Sequence, residues 1–76
     1  MQPYLNLNGD SGVLAYDPGP DFIDIKFQDR DTLYRYSSRG VGRDNVEEMK
    51  RLAVAGRGLS TFINQHPEVK NGYDRN

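Results

Sequence analysis

The stretch FIDIKFQDRDTLYRYS, residues 22–37, carries the pattern that decides the fold. Its first half alternates apolar and polar side chains, and successive side chains in a strand point to opposite faces. Ile23, Ile25 and Phe27 therefore share one face of a predicted strand. The polar run at residues 28–31 predicts a turn into a second strand, so the stretch is predicted to be an antiparallel β-hairpin.

The register of this hairpin decides where its two tyrosines point. A loop of two or four residues places Ile25 opposite Tyr34, and the same register places Ile23 opposite Tyr36. A loop of three residues would turn Arg35 to the apolar face, where an unpaired charge is costly. We therefore expect both tyrosines to be partly buried and Arg35 to point outward.

A shorter strand is predicted upstream, between turn signals. Residues 13–16 (VLAY) read as a strand, and residues 17–20 (DPGP) end it because proline lacks the amide that a sheet needs. The dipeptides NG at residues 8–9 and SG at residues 11–12 are typical of a turn or loop.

Two helices are predicted after the hairpin. Asp44, with Glu47 three residues later, matches a capping box that opens the first helix, and Gly56 fits the C′ position that ends it. The second helix is predicted from about Gly58 to the boundary at Pro67. The apolar stripes expected to be buried are Val46, Met49, Leu52 and Ala53 in the first helix and Leu59, Phe62 and Ile63 in the second.

This order of elements predicts one α+β domain in two layers, a three-stranded antiparallel β-meander covered by two C-terminal helices. The chain has 76 residues, the size of a single small domain. We expect residues 1–10 to be an N-terminal arm or an extra edge strand, residues 11–66 to form the domain, and residues 67–76 to be a flexible tail.

The composition narrows the class of protein. There is no cysteine, no run close to the ~18 apolar residues of a membrane span, and no basic and apolar signal peptide at the start. A cytoplasmic protein without membrane association is therefore expected. The net charge is −1, divided as −4 in residues 1–31 and +3 in residues 32–60, which predicts an acidic face and a mildly basic face.

No set of catalytic or metal-binding residues can be assembled from the sequence. His66, the only histidine, is expected to be a polar residue in a last helical turn. Glu47 and Glu48 are expected to open a helix, where carboxylates stay solvated. We therefore expect no enzymatic activity, no catalytic residue, no cofactor and no metal.

Two glycine-bearing runs precede the helices, RGVGR at residues 39–43 and GRG at residues 56–58. Backbone amides at helix N-termini bind anions, so either run is a candidate for a phosphate contact. Neither run follows the Walker or the dinucleotide pattern. Helix capping and loop flexibility also explain the glycines, and we favour that interpretation.

The remaining candidate surface combines tyrosines with arginines. The partner-binding candidates are Tyr34, Arg35, Tyr36, Arg39, Arg43 and Arg57. Aromatic side chains interleaved with arginine stack on bases in several RNA-binding modules, whereas the predicted register turns the Tyr34 and Tyr36 rings toward the core. A second candidate surface is acidic and consists of Asp21, Asp24, Asp29 and Asp31.

The order of four sequence features resembles that of the KTSC domain. The matching residues are Ser11, Val13, Tyr16 and Asp17, then Phe27, then Tyr34-Arg35-Tyr36, then GLSTFIN at residues 58–64. The resemblance covers residues 11–64, so the domain predicted over residues 11–66 is KTSC-like. The chain departs from the family pattern at residues 37–42, where members usually have an apolar-proline step.

The KTSC domain is named for its occurrence at the C-terminus of some lysyl-tRNA synthetases, and it also stands alone in small bacterial and phage proteins. The family has no settled activity, so the resemblance implies a fold and no catalytic residues. We expect a non-enzymatic regulator that docks on a larger cytoplasmic protein of the transcription or translation machinery. The alternative is an RNA-binding module that uses the Tyr-Arg-Tyr strand and neighbouring arginines, against which the net charge of −1 counts.

Overall fold

The computed structural model describes residues 1–7, 9 and 12–75. The strands in this part of the chain are β1 (Gln2–Pro3), β2 (Val13–Pro18), β3 (Phe22–Phe27), β4 (Tyr34–Ser37) and β5 (Asp74–Arg75). The helices are α1 (Ser38–Val41), α2 (Arg43–Ala55), α3 (Leu59–Gln65) and α4 (Pro67–Lys70). None of these helices is long and apolar enough to cross a membrane. The loop predicted upstream of β2 includes Asn8 and Ser11, which lie outside the described residues.

The strands form one antiparallel sheet in the order β1-β2-β3-β4-β5. Its central hairpin has the predicted register, with Ile25 paired to Tyr34 and Ile23 paired to Tyr36. All four side chains are buried in the core. The predicted burial of both tyrosines is confirmed, and the same alternation places Arg35 on the outer face of the sheet.

Strand β2 extends past its predicted end to Pro18 and contains a β-bulge. The pairing with β3 shifts between Val13 and Ala15, which makes Leu14 the extra residue. A bulge changes which face the following side chains occupy. Val13 and Tyr16 are three residues apart and are both buried, while Leu14 is exposed.

Helix α2 packs against the sheet through the predicted stripe. Val46, Met49 and Ala53 are buried, and Leu52 is half-buried against the same core. The helix ends as predicted, because Gly56 adopts the left-handed conformation and its N–H donates to the carbonyl groups of Leu52 and Ala53.

The predicted capping box at the start of α2 is wrong. The helix begins at Arg43 with Gly42 as its N-cap, so Asp44 lies inside the first turn. The Glu47 carboxylate pairs with Lys50 at 3.1 Å. Since α1 ends directly before Gly42, the chain enters α2 without the loop that a side-chain cap at Asp44 would require.

Residues 67–75, which the sequence analysis places in a tail, include the elements α4 and β5. Val69 is fully buried at 0% exposure, and Tyr73 packs against the core. Pro67 starts α4, where its missing amide removes no helical hydrogen bond. The two apolar side chains hold this segment on the domain, and β5 pairs with β4.

The α+β class and the antiparallel sheet are confirmed, while the predicted numbers of strands and helices are wrong. The three predicted strands are the central ones, and β1 and β5 extend the described sheet on either side. The described residues contain two short helices in addition to the two predicted ones: α1 precedes them and α4 follows them. Elements of two to four residues are too short to show a hydrophobic period in the sequence.

Candidate functional site: an aromatic cleft

A cleft of about 390 Å³ lies between the β3–β4 loop, the inner face of the sheet and the segment that runs from α3 to β5. Strands β3 and β4 contribute Phe27, Tyr34 and Tyr36, and Tyr73 approaches from the C-terminal segment. The volume lies at the lower end of the range for small-ligand sites, which is about 300–1,000 Å³.

Packed aromatic rings form one wall of the cleft. The Tyr34 ring lies 4.4 Å from the Tyr73 ring, centroid to centroid, and meets the Phe27 ring edge-on at 5.2 Å. Tyr34 and Tyr36 are only 7% and 2% exposed. The half-buried rings of Phe27 and Tyr73 therefore supply the accessible aromatic surface of the cleft.

The Tyr36 hydroxyl stays protonated inside this wall. Burial raises the pKa of Tyr36 above its ordinary value, and the neighbouring Tyr73 and Tyr34 raise it further. A neutral phenol can both donate and accept a hydrogen bond. The cleft thus contains a polar group that carries no charge near neutral pH.

The charged side chains that line the cleft give it a net positive charge, and two amide side chains lie beside them. Arg30 from the β3–β4 loop and Lys70 from the end of α4 are exposed, and Asp29 is the acidic residue beside them. Among the described residues neither cation takes part in an ion pair. Asn64 and Asn71 add amide groups, which both donate and accept hydrogen bonds.

Arg35 lies on the opposite face of the sheet, where its guanidinium is already bound. Its Nε and Nη2 donate to the two carboxylate oxygens of Asp24 at 2.8 and 3.0 Å, and its guanidinium lies 4.0 Å from the centre of the Phe22 ring. Asp24 is 5% exposed, and its hydrogen bond raises the pKa of Arg35. The bidentate pair gives Arg35 a structural role that its outward direction does not reveal.

We expect Arg35→Ala to lower the free energy of unfolding, because the buried Asp24 carboxylate would lose its partner. Urea unfolding followed by circular dichroism measures the loss. Arg39→Ala is the exposed control and should stay within about 0.5 kcal/mol of the wild type. Adding Asp24→Asn to Arg35→Ala should recover part of the loss, since the amide carries no charge. Equal stability of Arg35→Ala and the wild type would show that the pair contributes nothing.

The other candidate arginines are exposed but do not form one patch. Arg39 lies in α1, and Arg43 starts α2. Arg57 follows the far end of α2, roughly 20 Å from Arg43 at the usual 1.5 Å rise per residue. None of the three lines the cleft.

The glycine run at residues 56–58 is covered by the N-terminal arm. The Leu7 N–H donates to the Gly56 carbonyl at 2.7 Å. The Tyr4 hydroxyl accepts a hydrogen bond from the Leu59 N–H, the first amide of α3, at 3.2 Å. This contact uses a donor that an anion would need, so the arrangement favours the capping interpretation.

The glycines of the run at residues 39–43 serve a helix boundary and a close packing contact. Gly42 has a φ of 96°, which side chains rarely tolerate, and it separates α1 from α2. A Cβ added at Gly40 would lie 2.6 Å from the carbonyl oxygen of Gly72. Here α1 and the segment after α4 approach each other too closely for a side chain.

His66 is held by its own helix. Its Nδ1 lies 2.7 Å from the Phe62 carbonyl oxygen, and because a carbonyl can only accept, Nδ1 carries the proton. The His66 ring also stacks on the Phe62 ring at 4.1 Å. Both contacts give the histidine a structural role at the end of α3.

Three of the residues that line the cleft belong to surfaces predicted from the sequence, Tyr34 and Tyr36 to the partner-binding candidates and Asp29 to the acidic surface. Tyr73, Arg30 and Lys70 belong to neither set. Tyr73 and Lys70 fall in the predicted tail, and Arg30 falls in a run best explained as a turn. The two large apolar side chains of the mostly polar tail, Val69 and Tyr73, are the signal in the sequence that could identify Tyr73.

In comparisons with family models, with curated proteins and with solved structures, no match is found for this chain. The resemblance to the KTSC domain therefore remains a prediction from the sequence. Ser11, the first residue of the first of its four features, lies outside the described residues.

Proposed function

We propose that this chain is a non-enzymatic binding domain that docks on a larger protein by taking a segment of that protein into the aromatic cleft. One observation carries the proposal. Accessible aromatic surface, two cations that form no ion pair within the described residues and two amide side chains meet in one concave site. Protein-binding sites commonly combine a buried aromatic anchor point with a polar rim.

The placement of the tyrosines and arginines favours a protein partner over RNA. Base stacking needs exposed ring faces, and Tyr34 and Tyr36 are buried. Arg35 is paired to Asp24 on the other side of the sheet, and the remaining candidate arginines are dispersed. The resemblance to the KTSC domain, which occurs in some lysyl-tRNA synthetases, favours a partner in the transcription or translation machinery.

An affinity pulldown with a cleft-filling variant tests this function. Asn64 is exposed and lines the cleft, so Asn64→Trp should fill the site with little effect on the core. Its neighbour Gln65 is also exposed and does not line the cleft, which makes Gln65→Trp a matched control. We expect the wild type to retain a stoichiometric protein after ribonuclease treatment, Asn64→Trp to lose it, and Gln65→Trp to keep it.

Two other outcomes would contradict the proposal. Recovery of RNA alone, or of proteins that disappear after ribonuclease, would assign the chain to the RNA-binding class. Retention of the same protein by Asn64→Trp would place the docking surface outside the cleft.

A further inference from the structure

We propose that the occupant of the cleft is an extended peptide segment of the partner in which one aromatic side chain is flanked by acidic residues. This inference rests on the proposed function and specifies the ligand of the same site.

The aromatic anchor follows from the composition and size of the cleft. Phe27 and Tyr73 offer accessible ring surface, and Ile63 adds an aliphatic side chain to the same lining. Aromatic pairs gain attraction beyond the area that they bury, so this wall favours a phenyl or indole group over a small aliphatic one. A volume of about 390 Å³ has room for such a group and a short length of backbone.

The acidic flanks follow from the charges around that wall. Arg30 and Lys70 reach the cleft from two separate elements, the β3–β4 loop and the end of α4. Each of the two cations can pair with one carboxylate of a ligand that fills the cleft. Asp29 opposes this attraction, so the three charged lining residues leave a net charge of +1, and the preference for acidic ligands should be moderate.

The polar groups of the cleft fit a peptide better than a nucleotide. The side chains of Asn64 and Asn71 can donate to a backbone carbonyl and accept from a backbone amide, which is the pairing that an extended peptide offers. A phosphate group whose oxygens are ionised only accepts hydrogen bonds, so it would leave the amide oxygens of Asn64 and Asn71 without a donor.

Labelled peptides of defined charge test the inference by fluorescence anisotropy. The probes have a phenylalanine flanked by glutamates, a phenylalanine flanked by lysines, or an alanine flanked by glutamates, together with a single-stranded RNA oligomer. We expect the glutamate-flanked phenylalanine peptide to bind about tenfold more tightly than the other peptides, from two exposed ion pairs and one aromatic contact.

Charge reversal gives a readout that a structural role would not produce. The double variant Arg30→Glu with Lys70→Glu should prefer the lysine-flanked peptide. The double variant Arg39→Glu with Arg57→Glu makes the same change in net charge outside the cleft and should keep the wild-type preference. Asp29→Asn should tighten binding of the glutamate-flanked peptide by about two- to threefold. Circular dichroism of each variant establishes that it is folded.

Three results would overturn the inference: equal affinity for all peptides, an unchanged preference in the Arg30 and Lys70 double variant, or no peptide binding at millimolar concentration. If Asn64→Trp still abolishes capture of a protein partner in those cases, only the identity of the occupant is wrong. If no protein is captured and the RNA oligomer alone binds, the proposed function itself is wrong.

Discussion

Tyr36→Ala is expected to lower the free energy of unfolding by about 3–5 kcal/mol, the usual range for truncating a large buried aromatic side chain. Tyr36 is 2% exposed and pairs with Ile23, which is fully buried in the centre of the sheet. A domain of this length has a total stability of roughly 4–11 kcal/mol at 0.05–0.15 kcal/mol per residue. The variant should therefore lose about a quarter or more of the total stability.

Urea unfolding of the variant and the wild type, followed by far-ultraviolet circular dichroism, measures this loss. Tyr36→Phe is the matched control because it keeps the ring and removes only the hydroxyl, so its loss should be much smaller than that of Tyr36→Ala. If Tyr36→Ala unfolds within about 0.5 kcal/mol of the wild type, the ring does not fill the core and the register of the central hairpin is wrong.

Gly72→Ala is expected to cost about 1–3 kcal/mol, although it adds a single methyl group. The added Cβ would lie 2.6 Å from the Glu68 carbonyl oxygen, 2.8 Å from Cγ1 of Val41 and 2.9 Å from the Gly40 carbonyl oxygen. Two of these neighbours are backbone atoms, so the contact cannot be relieved by rotating a side chain. The segment after α4 has to move away from α1, and Tyr73, the next residue, has to move with it.

The best comparison for Gly72→Ala is Gly12→Ala. A Cβ added at Gly12 would meet nothing within 4 Å, and neither glycine has a positive φ that would make alanine strained. The difference between the melting temperatures of the two variants therefore measures the effect of the close packing around Gly72. Equal melting temperatures would show that α1 and the α4–β5 segment are not in tight contact in solution.

The central hairpin could be predicted from the sequence because its two constraints agree. The alternation around Ile23 and Ile25 fixes which face is buried, and the cost of burying Arg35 selects the register. The prediction was incomplete for Arg35 itself. The alternation of side chains along β4 predicts that the Arg35 side chain points outward. Its pairing with Asp24 depends on which outer-face side chains are adjacent across the two strands, and that can be stated only once the register is known.

The cleft could be predicted only in part, because its walls come from segments with no pattern of their own. The burial of Tyr34 and Tyr36 follows from the hairpin register. The contact between Tyr34 and Tyr73 joins the hairpin to the residue before β5, whose position depends on Val69 and on the close approach of Gly40 to Gly72. Such tertiary contacts leave no period in the sequence, since each involves a single residue.

The pairing of β5 with β4 also sets an order for folding. It joins Tyr34 to Arg75 and Arg35 to Asp74, and the helices α1 to α4 lie between these residues in the sequence. The β2–β3–β4 meander pairs only strands that are neighbours in the sequence. Contacts distant in sequence form late because a long loop must close first. On a ribosome, β2, β3 and β4 can therefore pair while the rest of the chain is still being synthesised. The Tyr34 and Tyr36 rings then lack their contact with Tyr73. The aromatic wall is complete only after β5 has been synthesised and has paired with β4.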